Sequence, residues 1–186
     1  MHDETPTRTA PEHPSAEAVR RAEFGRYFAV RTHMGNLAFS PDGSQVAYIT
    51  NTSGQFNIWR QAVTGGWASQ VTTFESETVR GLLWAPSGAI ISLADADGSE
   101  QYQVFSIPAT GGPVTYFTDR PDVQHQISPE GLSPDGQLLA YSGNDRQPTD
   151  SDILIRDLAS GETRRVLANG RYNFAANWSP DGRYLS

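Results

Sequence analysis

The chain has 186 residues, a net charge of −7 and many turn-forming residues, with 17 Gly and 12 Pro. This length suffices for one domain with a sizeable core, and the negative charge argues against nucleic-acid or anionic-membrane partners, which require basic surfaces. The chain has no Cys, which excludes disulfides, thiolate metal sites and a cysteine nucleophile.

The N-terminal segment is predicted to contain a flexible tail and a short helix. Residues 1–14 are polar and Pro-rich, as in a tail. Residues 15–31 form the predicted helix, with Ser15 as N-cap and an apolar stripe of Phe24, Tyr27 and Phe28. This stripe packs either on its own domain or against a second domain.

The sequence carries no signal for export or membrane insertion. Residues 1–15 have no hydrophobic core of the secretory type, and no apolar run approaches the length of a membrane span. A cytoplasmic location is the default expectation.

A turn motif recurs four times and organises the rest of the chain. An apolar residue enters the turn, then come Ser-Pro-Asp-Gly or a close variant and an alternating apolar strand, which is typical of a β-hairpin. Its glycines are 45, 48 and 46 residues apart, at Gly43, Gly88, Gly136 and Gly182. This spacing is the length of one four-stranded propeller blade. The similar segment Ser128–Gly131 is rejected as a turn because no apolar alternation follows it in register.

A second landmark divides each repeat into four strands. A hairpin glycine follows each turn glycine by 23 to 25 residues, between two β-rich runs, at Gly66, Gly112 and Gly161. The predicted fold is therefore all-β, an incomplete β-propeller over residues 32–186. Its blades are placed near 33–79, 80–125 and 126–173, with the start of a fourth at 174–186. Because a propeller closes on four to eight blades, we expect the chain to be a fragment of a longer protein.

No catalytic, cofactor-binding or metal-binding residue is predicted. The Gly-x-Ser-x-Gly elbow of α/β-hydrolases does not occur. Ser87 lies in a predicted turn, and His125 with Asp122 is placed in a solvated loop between blades. The other histidines are isolated on the chain and have no ligand spacing, at His2, His13 and His33.

Two acidic segments and four tryptophans receive structural interpretations. Asp95–Gly98 suggests a calcium loop, but a tight turn between the second and third strands of its blade is favoured. Asp145, Asp150 and Asp152 are interpreted as solvated charge in a long loop, with a cation or a substrate amine as the alternative. Four tryptophans could suggest a ligand-stacking surface, at Trp59, Trp67, Trp84 and Trp178. Core packing between blades is favoured for Trp84 and Trp178, because they occupy equivalent positions of the repeat.

The repeats resemble the propeller of the prolyl oligopeptidase family of serine peptidases. The resemblance rests on the turn, the following Val46-Ala47-Tyr48 strand, the Ile58-Trp59 strand and the Gly65-Gly66 hairpin. The predicted helix leading into Gly35–Gly43, and the segment Asp97–Gln103, are similar to acylaminoacyl-peptidase and dipeptidyl-aminopeptidase-like members. The likeness covers residues 16–186. It departs from the pattern where Ala85–Gly88 lacks the turn Asp and where Leu132 replaces an aromatic residue.

The resemblance implies a division of labour with a domain outside this chain. In that family the propeller covers a C-terminal α/β-hydrolase domain carrying Ser, Asp and His, and restricts entry to short peptides. None of these three residues has a matching position here, so an enzymatic activity is implied only for a parent peptidase. Propellers of the TolB type share the turn, so a protein-interaction propeller is the alternative. A truncated product without function is a third possibility, for which we expect aggregation through open sheet edges.

Overall fold

The computed structural model describes residues 31–186, which form twelve β-strands and no helix. The predicted tail and the predicted helix up to residue 30 lie outside the described residues. Since the described part is all strand and loop, it contains no helix long and apolar enough to cross a membrane.

The strands form three four-stranded antiparallel sheets in which neighbours in sequence are neighbours in space. The first sheet comprises β1 (His33–Phe39), β2 (Gln45–Thr50), β3 (Asn57–Ala62) and β4 (Ser69–Gln70). The second comprises β5 (Glu77–Trp84), β6 (Ala89–Ala96), β7 (Gln103–Pro108) and β8 (Thr115–Tyr116). The third comprises β9 (His125–Leu132), β10 (Leu138–Gly143), β11 (Asp152–Asp157) and β12 (Thr163–Leu167). The predicted incomplete propeller is confirmed as the fold class.

The repeated turn joins the first two strands of each sheet, as predicted. Its glycine is left-handed in all four copies, with φ of 69° at Gly43, 87° at Gly88, 68° at Gly136 and 69° at Gly182. The rejected segment Ser128–Gly131 lies inside β9.

A serine and an aspartate brace three of these turns. In the first, the Ser40 hydroxyl donates to Asp42 Oδ1 at 2.6 Å and accepts from the Gln45 amide at 2.9 Å. The pairs Ser133–Asp135 and Ser179–Asp181 repeat the 2.6 Å hydrogen bond. The second turn has Ala85 in place of the serine and relies on backbone hydrogen bonds, from Gly88 N to Ala85 O and from Ala85 N to Ala89 O.

The residue that precedes the Ser-Pro-Asp-Gly turn, or its variant, in one repeat packs against the sheet of the repeat before it. Trp84 packs against the core between the first and second sheets, Leu132 against the core between the second and third, and Trp178 against the third sheet. The predicted role of Trp84 and Trp178 in packing between blades is confirmed. The Trp178 indole N–H also donates to the Gly131 carbonyl at 2.9 Å.

The two ends of this stack are open in the described chain. Phe39, at the position equivalent to Trp84, is 58% exposed because no described sheet precedes it. Beyond the third sheet, the start of the fourth repeat leaves an apolar groove of about 480 Å³. The groove is lined by Ile153, Val166, Leu167, Phe174 and Leu185, among others.

Candidate functional site: an arginine–aspartate cluster and a polar cavity

Two of the three aspartates assigned to the acidic loop of the third sheet are buried, so their interpretation as solvated charge is wrong. Asp150 is only 5% exposed and Asp152 only 2%. Two arginines explain this burial: Arg146 lies in the same loop, and Arg165 on β12 lies beside β11, where Asp152 is the first residue. A buried carboxylate is stable when it is paired and hydrogen-bonded.

Asp152 is the centre of this cluster. Arg146 donates two hydrogen bonds to Asp152, from Nε to Oδ2 at 2.6 Å and from Nη2 to Oδ1 at 2.9 Å. Arg165 Nε approaches Oδ2 at 2.8 Å. The hydrogen bonds from Arg146 lower the pKa of Asp152 and outweigh the opposing effect of burial. The same contact raises the pKa of Arg146, so the pair stays ionised.

Each arginine also binds a second carboxylate. Arg146 Nη2 lies 2.8 Å from Asp150 Oδ2, and Arg165 Nη2 lies 2.5 Å from Asp145 Oδ2. The five side chains therefore tie the loop between β10 and β11 to β12.

The position of Asp152 belongs to a feature of the repeat that the sequence analysis missed. The first residue of the third strand is polar in every sheet. In the first two sheets it holds the loop after the fourth strand, whereas in the third sheet Asp152 binds Arg165 on the fourth strand itself. Asn57 bonds the Phe74 amide and carbonyl at 2.9 and 3.0 Å, and Gln103 bonds the Arg120 amide and carbonyl at 3.0 and 2.7 Å. Aligning the repeats would have revealed this position, because each polar residue directly precedes a buried Ile or Val.

A small polar cavity of about 30 Å³ adjoins the cluster. Its lining includes Gln124, Gln126, Ser142, Asn144, Asp150 and Tyr172. Two buried oxygens of these residues, Ser142 Oγ and Asp150 Oδ1, have no hydrogen-bond partner among residues 31–186. Buried polar atoms without a partner are rare, and they mark a place where a polar ligand or water is bound.

His125 is not in a solvated loop, so that prediction is also wrong. It is the first residue of β9, is 5% exposed and has Nδ1 3.0 Å from the Tyr102 carbonyl. Its ring packs against Tyr141 with the centroids 5.9 Å apart. Burial lowers the pKa of His125, so the ring is held neutral. Asp122, its proposed companion, is exposed and pairs with Arg120 at 3.2 Å.

The remaining candidates are placed as follows. Ser87 lies in the exposed turn between β5 and β6, and no hydrogen bond described for residues 31–186 joins it to a histidine. Asp95 is buried on β6 and accepts a hydrogen bond from the Glu100 amide at 3.0 Å, which closes the predicted tight turn.

Of the other two tryptophans, Trp67 is 98% exposed and Trp59 is partly buried. His33 lies on β1 beside the Tyr48 ring, whereas His2 and His13 fall outside the described residues. Within the described chain, no group of three or more His, Asp and Glu side chains is arranged to hold a metal.

Comparison with curated proteins identifies one partial relative. No family model matches the chain. An uncharacterized protein of Agrobacterium fabrum is 34% identical over 103 residues, which cover 54% of this chain and 32% of that protein. The chain thus spans about a third of the length of the relative it matches.

Solved structures that are similar to the chain include TolB and several peptidases. TolB from Acinetobacter baumannii matches 84% of this chain and 37% of its own length, with a TM-score of 0.62 and 19% identity. A puromycin-hydrolyzing peptidase of Mycobacterium tuberculosis matches 80% and 23%, with a TM-score of 0.59 and 13% identity. Prolyl oligopeptidase B of Galerina marginata matches 79% and 22%, with a TM-score of 0.58 and 11% identity. At these identities the likeness concerns the fold alone, and the described residues have the fold of an incomplete β-propeller.

Proposed function

We propose that this chain is the N-terminal propeller portion of a serine peptidase that resembles the prolyl oligopeptidase family. In this proposal it controls the access of short peptides to an α/β-hydrolase domain that supplies the catalytic Ser, Asp and His. The sequence motifs of the first two repeats and the fold shared with two peptidases support this assignment. The chain's own contribution is binding and steric selection.

The observation that carries the proposal is the groove beyond the third sheet. Trp84 packs on the buried core of the first sheet, and Leu132 packs on that of the second. Trp178 packs on the third sheet in the same manner. Val166, Leu167 and Phe174 nevertheless remain more than a third exposed. A further blade packed in the same manner would cover them, so the partner of this groove is the continuation of the propeller.

The test is to identify the native gene product in its source cells with a fluorophosphonate probe, which labels active serine hydrolases. We expect a labelled product several hundred residues longer than this chain, containing its peptides and a Gly-x-Ser-x-Gly sequence beyond residue 186. The purified 186-residue chain should remain unlabelled and should not hydrolyse an aminoacyl or acyl-peptide reporter. Hydrolysis by the highly purified chain would contradict the proposal.

A TolB-like interaction propeller is the second candidate, favoured by the larger share of TolB that the chain matches. In that case the chain binds a protein partner through loops at one face of the ring. A longer native product that lacks Gly-x-Ser-x-Gly and does not react with the probe would favour this candidate. A product that ends at Ser186 and aggregates would instead indicate a truncated chain without function.

A further inference from the structure

We propose that the polar cavity beside the arginine–aspartate cluster binds one monovalent metal cation, sodium or potassium. The charge of the cluster is the first argument. Arg146 and Arg165 carry two positive charges, and Asp145, Asp150 and Asp152 carry three negative charges. The cluster thus has one excess negative charge, and one of its carboxylates, Asp150, lines the cavity.

The unpartnered oxygens are the second argument. Arg146 donates a hydrogen bond to Asp150 Oδ2. Asp150 Oδ1 is buried and accepts no hydrogen bond from the described residues. Ser142 Oγ, on β10, is likewise buried and unpartnered. Each such atom destabilises the fold unless something in the cavity binds it. A cation satisfies both oxygens at once and neutralises the excess charge.

Neutral oxygens complete the coordination sphere. Asn144 Oδ1 accepts the Gln124 amide at 2.8 Å, and Gln126 Oε1 accepts the Tyr172 hydroxyl at 2.9 Å. Each of these carbonyl oxygens retains a second lone pair. Ser142 and Gln126 are directly opposite each other on paired strands, so their side chains share one side of the sheet.

The size and charge of the cavity select a monovalent ion. A volume of about 30 Å³ accommodates one or two water-sized spheres. Calcium prefers six to eight oxygens with several carboxylates, and magnesium keeps a hydration shell. With a single carboxylate free for coordination, the cavity matches the charge of sodium or potassium.

The site links the third sheet to the segment after β12, which leads into the fourth repeat. Tyr172 lines the cavity from that segment. The backbone amide of Asn173 donates a hydrogen bond to Ser151 Oγ at 2.9 Å, and Ser151 directly follows Asp150 in the chain. Occupation of the cavity therefore stabilises a contact between successive repeats.

The experiment compares thermal unfolding of the 186-residue chain in sodium, potassium and N-methyl-glucamine chloride at constant ionic strength. We expect sodium or potassium to raise the unfolding temperature with saturation, since a bound ion stabilises only the folded state. The half-saturating concentration should increase by about tenfold or more in Ser142→Ala. This variant keeps every ion pair and removes only an unpartnered hydroxyl, so in N-methyl-glucamine it should be at least as stable as the unmodified chain.

Asp150→Asn provides a second test, and the exposed Asp122→Asn provides the matched control. Asp150→Asn should abolish the cation effect, and Asp122→Asn should preserve it. Sodium-23 NMR gives a direct signal: the protein should broaden the sodium line, potassium should compete, and Ser142→Ala should reduce the broadening. Equal unfolding temperatures in all three chlorides would overturn the proposal and assign the cavity to water. A full cation effect in Ser142→Ala would overturn it as well.

Discussion

A Cβ atom placed on Gly136 would lie 2.4 Å from Cγ of Pro86 and 2.6 Å from its Cδ. The turn of the third sheet therefore lies directly against the proline of the preceding turn. Gly182 and Pro134 repeat the relationship more loosely, because a Cβ atom placed on Gly182 would lie 3.6 Å from Cδ of Pro134. The repeated turn thus contacts the neighbouring repeat in addition to reversing the direction of the chain.

Alanine at this turn glycine should be far more destabilising than alanine at an equivalent one. Gly43 has the same backbone conformation, but nothing lies within 4 Å of its Cβ position. Gly43→Ala should lower the free energy of unfolding by about 1 kcal/mol, the cost of a left-handed residue with a side chain. Gly136→Ala adds a clash with Pro86 and should lower it by about 2–4 kcal/mol in total. Urea unfolding measures both, and equal losses would contradict the contact between the turns.

The serine-braced turn should give Asp42 an unusually acidic carboxyl. Hydrogen bonds from Ser40 and Ser44 lower the pKa of Asp42 from 3.8 to about 2. Because the folded-state pKa is depressed, the stabilisation is complete above about pH 4 and is lost as the pH falls through about 2. Carbon-13 NMR titration of the Asp42 carboxyl measures this value. Ser40→Ala should raise it, whereas Ser87→Ala, in the turn without a Ser–Asp pair, should leave it unchanged.

The buried imidazole should make stability depend on pH in a different range. Since burial lowers the pKa of His125 in the folded state, the unfolded chain binds the proton more tightly. Stability should therefore fall as the pH decreases from about 6.5 towards the lowered pKa of the folded protein. Urea unfolding of the unmodified chain and of His125→Gln between about pH 7.5 and about pH 5, a range that spans the reference pKa, measures the difference. Greater stabilisation of the unmodified chain at the acidic end would contradict the neutral, buried histidine.

Removing the centre of the ion-pair cluster should be strongly destabilising. Asp152→Ala leaves Arg146 and Arg165 without their shared partner, and we expect a loss of about 3 kcal/mol in the free energy of unfolding. Asp122→Ala breaks a solvent-exposed pair and should cost less than about 0.5 kcal/mol. Urea denaturation tests both variants. A loss at Asp152 no larger than at Asp122 would show that the cluster contributes little.

The fold was predictable from local signals that repeat. Pro and Gly at fixed places specify a turn whatever surrounds it, and four copies fix the length of the repeat. The alternation of Val46, Tyr48 and their equivalents then specifies strands on both sides. Trp84 and Trp178 could be assigned to packing between blades because they occupy the same repeat position.

The buried charges were not predictable by the same means. Asp150 and Asp152 stand in a sequence that is typical of a solvated loop. Asp150 is paired with Arg146 of the same loop, and Asp152 is paired also with Arg165, which β-sheet pairing brings from the next strand. His125 is buried because β9 begins at that residue and because Gly143, opposite it, leaves space for the ring. Such placements depend on register between strands, which composition does not reveal.

The covering of each sheet by the next repeat gives the three sheets different protection from solvent. Only the second sheet has a described sheet on both faces, and Ile90, Ile91, Val104 and Phe105 are almost fully buried there. In a linear stack, opening starts at the ends and reaches the middle last. Amide hydrogens of β6 and β7 should thus exchange with deuterium most slowly, and those of β1 and β12 should exchange first.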